Sequence, residues 1–450
     1  MINRKEAFVV FALGRSGSRF VCLLQKGFAM NALEKEKKSK LSKAQLLPIL
    51  LCWLVYVSAY LGRYSYAANI SVVIDTFGVS RADAGLVSTF FFFAYGVGQV
   101  VNGILSKYYP KRVIIPAALF VSAAVNLAVF LGAPFGALKF LWLFNGIAQS
   151  IFWPNLVSSL SESLKPYALS KAILAMSSTV AVGTFASYGA SALFSTWGGF
   201  TYSFLLGASV MLVTAVLWAT LYGRAFKKVP AEASAEALKV EKAQALAEKP
   251  KGFPRELLAF VLALGSFAVI NNLVKDGLTT WMPRFLKEAF GLPDSLSMIL
   301  TLVLPVVGFF GAACATTVHK KIPAFVTHAG LWFLLTLLLI LGCVLLLDST
   351  LWWLMLVLFG LVSLAMHAIN NIITSMAPLY LREKINAGLL AGVLNGCCYV
   401  GSTMSSYGLG VIADAFSWRG VFLVLLFACL IPIAVGTLST LSDIRKKKSN

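Results

Sequence analysis

The chain has 450 residues, of which 59% are hydrophobic and only 12% charged, at a mean hydropathy of +0.82. Ordinary soluble domains are about 25% charged, so a water-soluble globule is excluded and a polytopic membrane protein is expected. The net charge of +20 would suggest a nucleic-acid partner in a soluble protein. Here the basic residues sit in short connections and tails, a pattern of membrane topology, so the expected partner is the lipid bilayer and not nucleic acid. Seven cysteines are scattered, mostly in apolar spans, with no CxxC and no His/Cys ligand spacing. Cys397-Cys398 reads as two small buried side chains, and no metal or cofactor is expected.

Residues 1–29 carry Arg4, Lys5, Arg15, Arg19 and Lys26 around short apolar patches at Phe8–Leu13 and Phe20–Leu24. The patches are short for a signal sequence. Met30 then opens the basic leader MNALEKEKKSKLSKAQ, as a true start would, leaving the first 29 residues as an upstream extension. An amphipathic surface helix is the alternative. Residues 46–75, LLPILLCWLVYVSAYLGRYSYAANISVVID, are long enough to cross a bilayer yet contain one full charge, Arg63. A cation inside such a span costs about 2.5–3.5 kcal/mol on insertion scales. Its small and polar neighbours Ser58, Gly62, Ser65 and Asn69 indicate a face turned toward a bundle or cavity and not toward lipid. Snorkelling to an interface, or pairing with a carboxylate, is the plainer alternative.

Twelve apolar stretches follow one another at about 46–75, 83–106, 112–132, 138–161, 168–192, 200–222, 255–284, 295–318, 323–347, 351–376, 386–412 and 419–440. The fold class is therefore an all-α polytopic membrane protein with twelve transmembrane helices. Lys35–Lys43, Lys107, Lys111, Arg112, Lys165, Lys171, Lys320, Lys321, Arg382, Lys384 and the Arg445–Lys448 tail share one side of the membrane. Asp75, Arg81, Asp83, Lys139, Asp348, Asp414 and the mixed segment Arg284–Asp294 share the other. The positive-inside rule places both termini in the cytoplasm, in an inner (cytoplasmic) or plasma membrane. The Ala-, Glu- and Lys-rich connection at 223–254 divides the spans six and six. The expected organisation is a tail at 1–45, one half at 46–222, a cytoplasmic linker at 223–254, a second half at 255–440, and a basic tail at 441–450.

The halves also repeat. Arg63 precedes Phe77-Gly78-Val79-Ser80 and a new span; Lys275 precedes Phe290-Gly291-Leu292-Pro293 and a new span, at nearly equal distances. If the halves are related by a two-fold axis along the membrane normal, the two cations face one another across a central cavity. Opposed cations attract an anion, and a phosphate monoester carries about −1.5 to −2 near neutral pH. Arg63 offers a planar fork and Lys275 a point charge. Lys275 also has an acidic neighbour, Asp276, but adjacent helical residues point about 100° apart, so that pair is expected to be geometrically poor. Asp276 is a candidate for proton uptake or for charge balance in the empty cavity.

Six plus six spans with a long middle connection resemble the major facilitator superfamily fold, two pseudo-symmetric six-helix halves with a site between them. Over most of 46–440 the sequence further resembles the organophosphate:phosphate antiporter family within it. Arg63 falls on that family's first-helix arginine and Lys275 on its seventh-helix arginine. Ala94-Tyr95-Gly96, Arg112-Val113-Ile114-Ile115-Pro116-Ala117, Gly146…Gln149, Trp153-Pro154, the run Trp281–Glu288, Tyr399, Gly401 and Asp414…Trp418…Gly420 also match. The departures are Lys275 for arginine with Asp276 after it, Gln99 where some members place a cavity lysine, Val180 where some have histidine, and Lys107 where a loop acid is expected. The first three bear on the substrate and suggest a different or less highly charged anion.

The resemblance implies alternating-access exchange of a phosphorylated metabolite (a glycerol phosphate, sugar phosphate or phosphoglycerate) for inorganic phosphate by a functional monomer. The candidate substrate-binding set is Arg63, Lys275, Tyr95, Tyr399, Asn395, Gln99 and Trp153, with Asp276 for coupling or charge balance. Asn395, His367, Asn370 and Asn371 read first as helix–helix contacts and Trp153-Pro154 as a kink, while the resemblance puts a binding role for Tyr95 and Tyr399 level with a packing one. A proton- or sodium-coupled carboxylate transporter and a transporter-like sensor of sugar phosphate are the alternatives. No nucleophile–base pair or Walker motif supports an enzyme or ATP-driven transport.

Overall fold

The computed structural model describes residues 41–106, 108–226, 255–381 and 387–449. The expected leader, almost all of the 223–254 linker, Lys107, Arg382, Lys384 and the side chains of the basic tail lie outside the described residues. The described residues form helices and turns, with no strand among them. The spans are α1 Lys43–Ala68, α2 Arg81–Leu105, α3 Lys111–Phe130, α4 Phe135–Ser163, α5 Pro166–Trp197 and α6 Tyr202–Ala225 in the first half. In the second half they are α7 Arg255–Phe290, α8 Asp294–His319, α9 Phe325–Leu346 and α10 Trp352–Tyr380, then α11 (387–416) and α12 (418–449).

The last two run on as one 63-residue helix broken at Ser417, whose φ of 58° and ψ of −174° are not helical. A helix that long would reach about 95 Å at 1.5 Å per residue, some three times the hydrocarbon thickness. The break therefore separates two spans, and the twelve expected stretches are all present. α1 is interrupted at Asn69 and continued by the short helix Ile70–Phe77. The Asn69 amide spans this break, donating to Ser65 O, Ser191 Oγ of α5 and Ser203 Oγ of α6 at 2.8–2.9 Å. Both glycines of the repeated Phe-Gly turns adopt the left-handed conformation that ends a helix, Gly78 at φ 62° and Gly291 at φ 66°. The sequence repeat is thus a repeated helix stop.

The first and last spans begin and end on one face of the bundle, here the terminal face; the Phe-Gly turns lie on the opposite face. Toward the terminal face, α1 and α3–α6 enclose a core of their own, including Val55, Leu119, Phe152 and Trp218. Toward the opposite face a single core unites both halves, from Tyr66, Val87, Trp142 and Phe204 to Phe285, Phe359 and Phe422. α2 and α11 cross closely there: a Cβ on Gly85 would meet Ser406 O at 2.0 Å, and one on Gly410 would meet Arg81 O at 2.7 Å. Small residues let helices approach where lipid supplies no hydrophobic drive for association.

Charge completes that seal. Arg81 binds Glu288 Oε2 through Nη2 at 2.7 Å and Asp414 Oδ1 through Nη1 at 3.0 Å. Asp414 also accepts the first backbone N–H groups of α2, from Arg81 at 3.2 Å and Ala82 at 2.8 Å, where a helix start favours an anion. Asp75 binds Arg284 at 2.6 Å and Lys287 at 2.5 Å. Glu288 accepts from Arg284 and from Trp418 Nε1, the latter at 2.8 Å. Among the described residues, every ion pair joining the halves belongs to this opposite-face network. α7 runs past its expected end at 284 because these charged residues continue the helix into the network.

Partial burial pushes the Asp75 carboxyl up, but hydrogen bonds from Lys287 and Arg284 outweigh this and hold it below the usual carboxylate range. A carboxylate depressed in the folded state contributes stability that is present above its unfolded pKa of about 3.9 and is lost as pH falls through the folded value. Nitroxide labels at Thr76 and Leu296 are therefore expected to keep one distance from neutral pH down to about pH 5. Glu288→Gln removes the carboxylate shared by Arg81, Arg284 and Trp418, and should lengthen and broaden that distance; an unchanged distribution would show that the network does not hold the halves together.

Candidate functional site

Tyr56, Tyr60, Arg63 and Tyr64 recur at i, i+4, i+7 and i+8 and so share one face of α1. The helix carries Arg63 into the bundle, where the residue is 7% exposed. Its Nε and Nη2 are buried without a hydrogen-bond partner. Aromatic rings surround it instead: Cζ lies 4.1 Å from the ring centre of Tyr95, 4.5 Å from Phe91 and 5.3 Å from Tyr60. Each such contact contributes about 0.5–2 kcal/mol, rising with desolvation, which offsets part of the cost of burying the ion but satisfies no N–H donor. A small cavity beside the guanidinium is lined by Tyr64, Ala67, Ser88, Phe91, Phe92, Trp142 and, from the other half, Thr280. Arg63 thus stands at the boundary between the halves with donors left over.

Aromatic contacts cross that boundary. Tyr95 of α2 meets Tyr399 of α11 with ring centres 4.8 Å apart, and its hydroxyl lies 3.3 Å from that of Tyr56. Trp153 packs on Tyr56 at 5.1 Å. Tyr188 of α5 donates to Thr279 O of α7 at 2.7 Å. Of the expected set, Arg63, Tyr95, Tyr399 and Trp153 therefore belong to one connected cluster. Gln99 does not join it through a hydrogen bond: its amide donates, at 3.4 Å, to Ser150 O of α4 in its own half. Asn395 is half-buried one turn before Tyr399.

Lys275 departs from expectation. Its Nζ lies 3.5 Å from Asp276 Oδ1, so the neighbouring acid that looked geometrically poor is its partner. The 100° offset holds for the Cβ directions, but the four-carbon lysine stem is long enough to swing its ammonium back. Asp276 is itself anchored: Oδ2 accepts from Asn272 Nδ2 at 3.2 Å and from Ser402 Oγ of α11. Asn272 Nδ2 also reaches Ser402 Oγ at 3.0 Å. Tyr399, whose ring packs on the Tyr95 ring that covers Arg63, lies one turn before Ser402, which binds Asp276, so α11 links the two charged centres.

Tyr56, Tyr60, Tyr64, Phe91, Tyr188, Asn272 and Ser402 were not singled out from the sequence. The three α1 tyrosines were legible in their helical spacing from Arg63, and Asn272 in its i−4 spacing from Asp276. Phe91, four residues before Tyr95, and Ser402, three after Tyr399, were legible in the same way, whereas Tyr188 reaches the site only through tertiary packing.

The sequence profile of the Major Facilitator Superfamily matches residues 52–387. The chain belongs to the Major Facilitator Superfamily. It is a multi-pass membrane transporter. A probable hexose phosphate transport protein of Chlamydia pneumoniae is 22% identical over 404 residues, covering 83% of this chain and 86% of that one. The glycerol-3-phosphate transporter of Bacillus subtilis is 23% identical over 84% of this chain and 88% of its own. The hexuronate transporter of Bacillus subtilis is 22% identical over 65% and 68%. The resemblance to the organophosphate:phosphate antiporter branch is borne out by the first two. Among solved structures, a bacterial homologue of the human lysosomal transporter Spinster, inward-facing and unoccupied, shares the fold with a TM-score of 0.73 at 16% identity, covering 90% of this chain and 99% of that one.

The ring of Tyr95 screens Arg63 whether or not its hydroxyl is present. Tyr95→Phe is expected to leave the melting temperature of the purified protein nearly unchanged. Tyr95→Leu should destabilise it by about 1–2 kcal/mol, the scale of one desolvated cation–π contact plus the lost ring packing. Equal melting temperatures for the two variants would remove the ring from the account of how Arg63 is held.

Proposed function

We propose that this superfamily member exchanges a small organic anion, a phosphorylated metabolite, for inorganic phosphate by alternating access, with Arg63 as its principal anion anchor. The observation that carries this reading is the buried guanidinium at the boundary between the halves, whose Nε and Nη2 donors have no partner. A planar fork with free donors is suited to bidentate capture of phosphate, and two relatives are named for phosphorylated substrates. The positive-inside pattern assigns the terminal face to the cytoplasm. On that assignment the opposite-face network closes the outer side, so substrate enters from within. An anion bridging Arg63 to the second half draws the halves together near the site, and the network then opens. Lys275, Tyr95, Tyr399 and Trp153 are the other proposed contacts, and Asn395 and Gln99 border them.

The test is exchange of labelled phosphate by purified protein in proteoliposomes. Arg63→Gln is expected to lower the exchange rate by about 100-fold or more, the scale of removing one partner of a buried charge-assisted contact. Arg63→Lys should retain a measurable fraction. Exchange that survives Arg63→Gln at full rate would overturn the assignment. Saturable flux by the parent protein alone would also dispose of a sensor-only role.

A second reading is favoured by the Lys275–Asp276 pair, which removes one cation from the anion site, and by the hexuronate transporter among the relatives. It is transport of an organic carboxylate coupled to protons or sodium through Asp276. Under it, uptake of a hexuronate into liposomes follows an imposed pH or sodium gradient, and Asp276→Asn uncouples it. Phosphate counterflow without any gradient would exclude it.

A further inference from the structure

Arg63, Lys275 and Asp276 are the charged side chains deep inside the described spans. Two cations and one carboxylate leave one net positive charge. The carboxylate is a fixed part of the site: Asp276 is 7% exposed, carries Lys275 on Oδ1, and is held on Oδ2 by Asn272 and Ser402. Releasing it would leave those donors and an acidic oxygen buried without partners. Of the neighbouring groups, Tyr60 and Tyr64 from α1 and Cys398, whose backbone carbonyl accepts from Ser402 on α11, contribute no positive charge. His367 from α10 donates its Nδ1–H to Ser363 O at 2.8 Å, the contact of a neutral Nδ1–H tautomer. Arg63 supplies the remaining cation.

Resting on the anion-exchange reading above, we infer that the loaded site takes up one net negative charge per turnover. A singly charged anion binds as it is, and a doubly charged one binds only together with a proton. Such a complex is neutral, whereas a dianion alone would leave an uncompensated negative charge in a water-poor cavity between two moving halves, which low-dielectric surroundings strongly disfavour. Asp276 is thereby the residue that sets the charge of the cargo. Its anchoring to α11 through Ser402 explains how an acid beside the anion site is tolerated without itself being displaced.

Inorganic phosphate is the probe, because its charge passes from −1 to −2 near neutral pH. Labelled phosphate self-exchange is measured in proteoliposomes with equal pH on both sides, from acid to alkaline solution. Above the second ionisation of phosphate, the KM for total phosphate in the parent protein is expected to rise about tenfold per pH unit, because the species of charge −1, or its equivalent of dianion plus proton, becomes that much scarcer. In Asp276→Asn the site carries two net positive charges, and the KM should stay level or fall over the same range. A parent KM that is level or falls with rising pH, with exchange intact, would overturn the charge assignment and leave the anion-exchange reading standing. No phosphate exchange at any pH would overturn both. The parent profile decides the matter even if Asp276→Asn fails to fold.

Discussion

A guanidinium that cannot be neutralised, carried on a helix that crosses a bilayer, constrains everything around it. Arginine keeps its charge at any accessible pH, so Arg63 must be turned away from lipid and wrapped in groups that tolerate a cation. The bundle meets the first demand by packing α1 inside, and the second with the rings of Tyr95, Phe91 and Tyr60. Rings screen the ion without using up its donors. A structural arginine would be expected to end on a carboxylate, and this one does not.

The second half answers with different chemistry. Its cation, Lys275, is paired, and the acid that pairs with it is tied to α11. The two halves share a helix plan and a repeated turn, yet their central charges are unequal: one free fork, one neutralised point charge. Pseudo-symmetry in the fold has left the central charges asymmetric.

The opposite-face network shows where the fold has placed its charge economically. Asp75, Arg81, Arg284, Lys287, Glu288 and Asp414 lie at helix ends, where water reaches them and desolvation is partial, so ion pairs form at less cost than in the core. Asp414 serves two helices, pairing with Arg81 and accepting the first N–H groups of α2. Because these contacts are ionic and lie at the rim, they can break and re-form as units, whereas the apolar core beneath them continues across both halves.

Much of the architecture was legible in the chain. Span number follows from runs of apolar residues long enough for the hydrocarbon, because each backbone must satisfy its own hydrogen bonds there. The Phe-Gly turns were visible because only glycine readily takes the left-handed stop at 78 and 291. Arg63 stood out because a full charge inside an apolar run is rarely accidental. What the tertiary structure alone decided was pairing. Arg81 with Glu288, separated by 207 residues, and Asp276 with Ser402, separated by 126, depend on helix rotation and register that no local pattern encodes. Lys275 shows the same limit at the shortest range: spacing set its Cβ direction, but the reach of its side chain chose its partner.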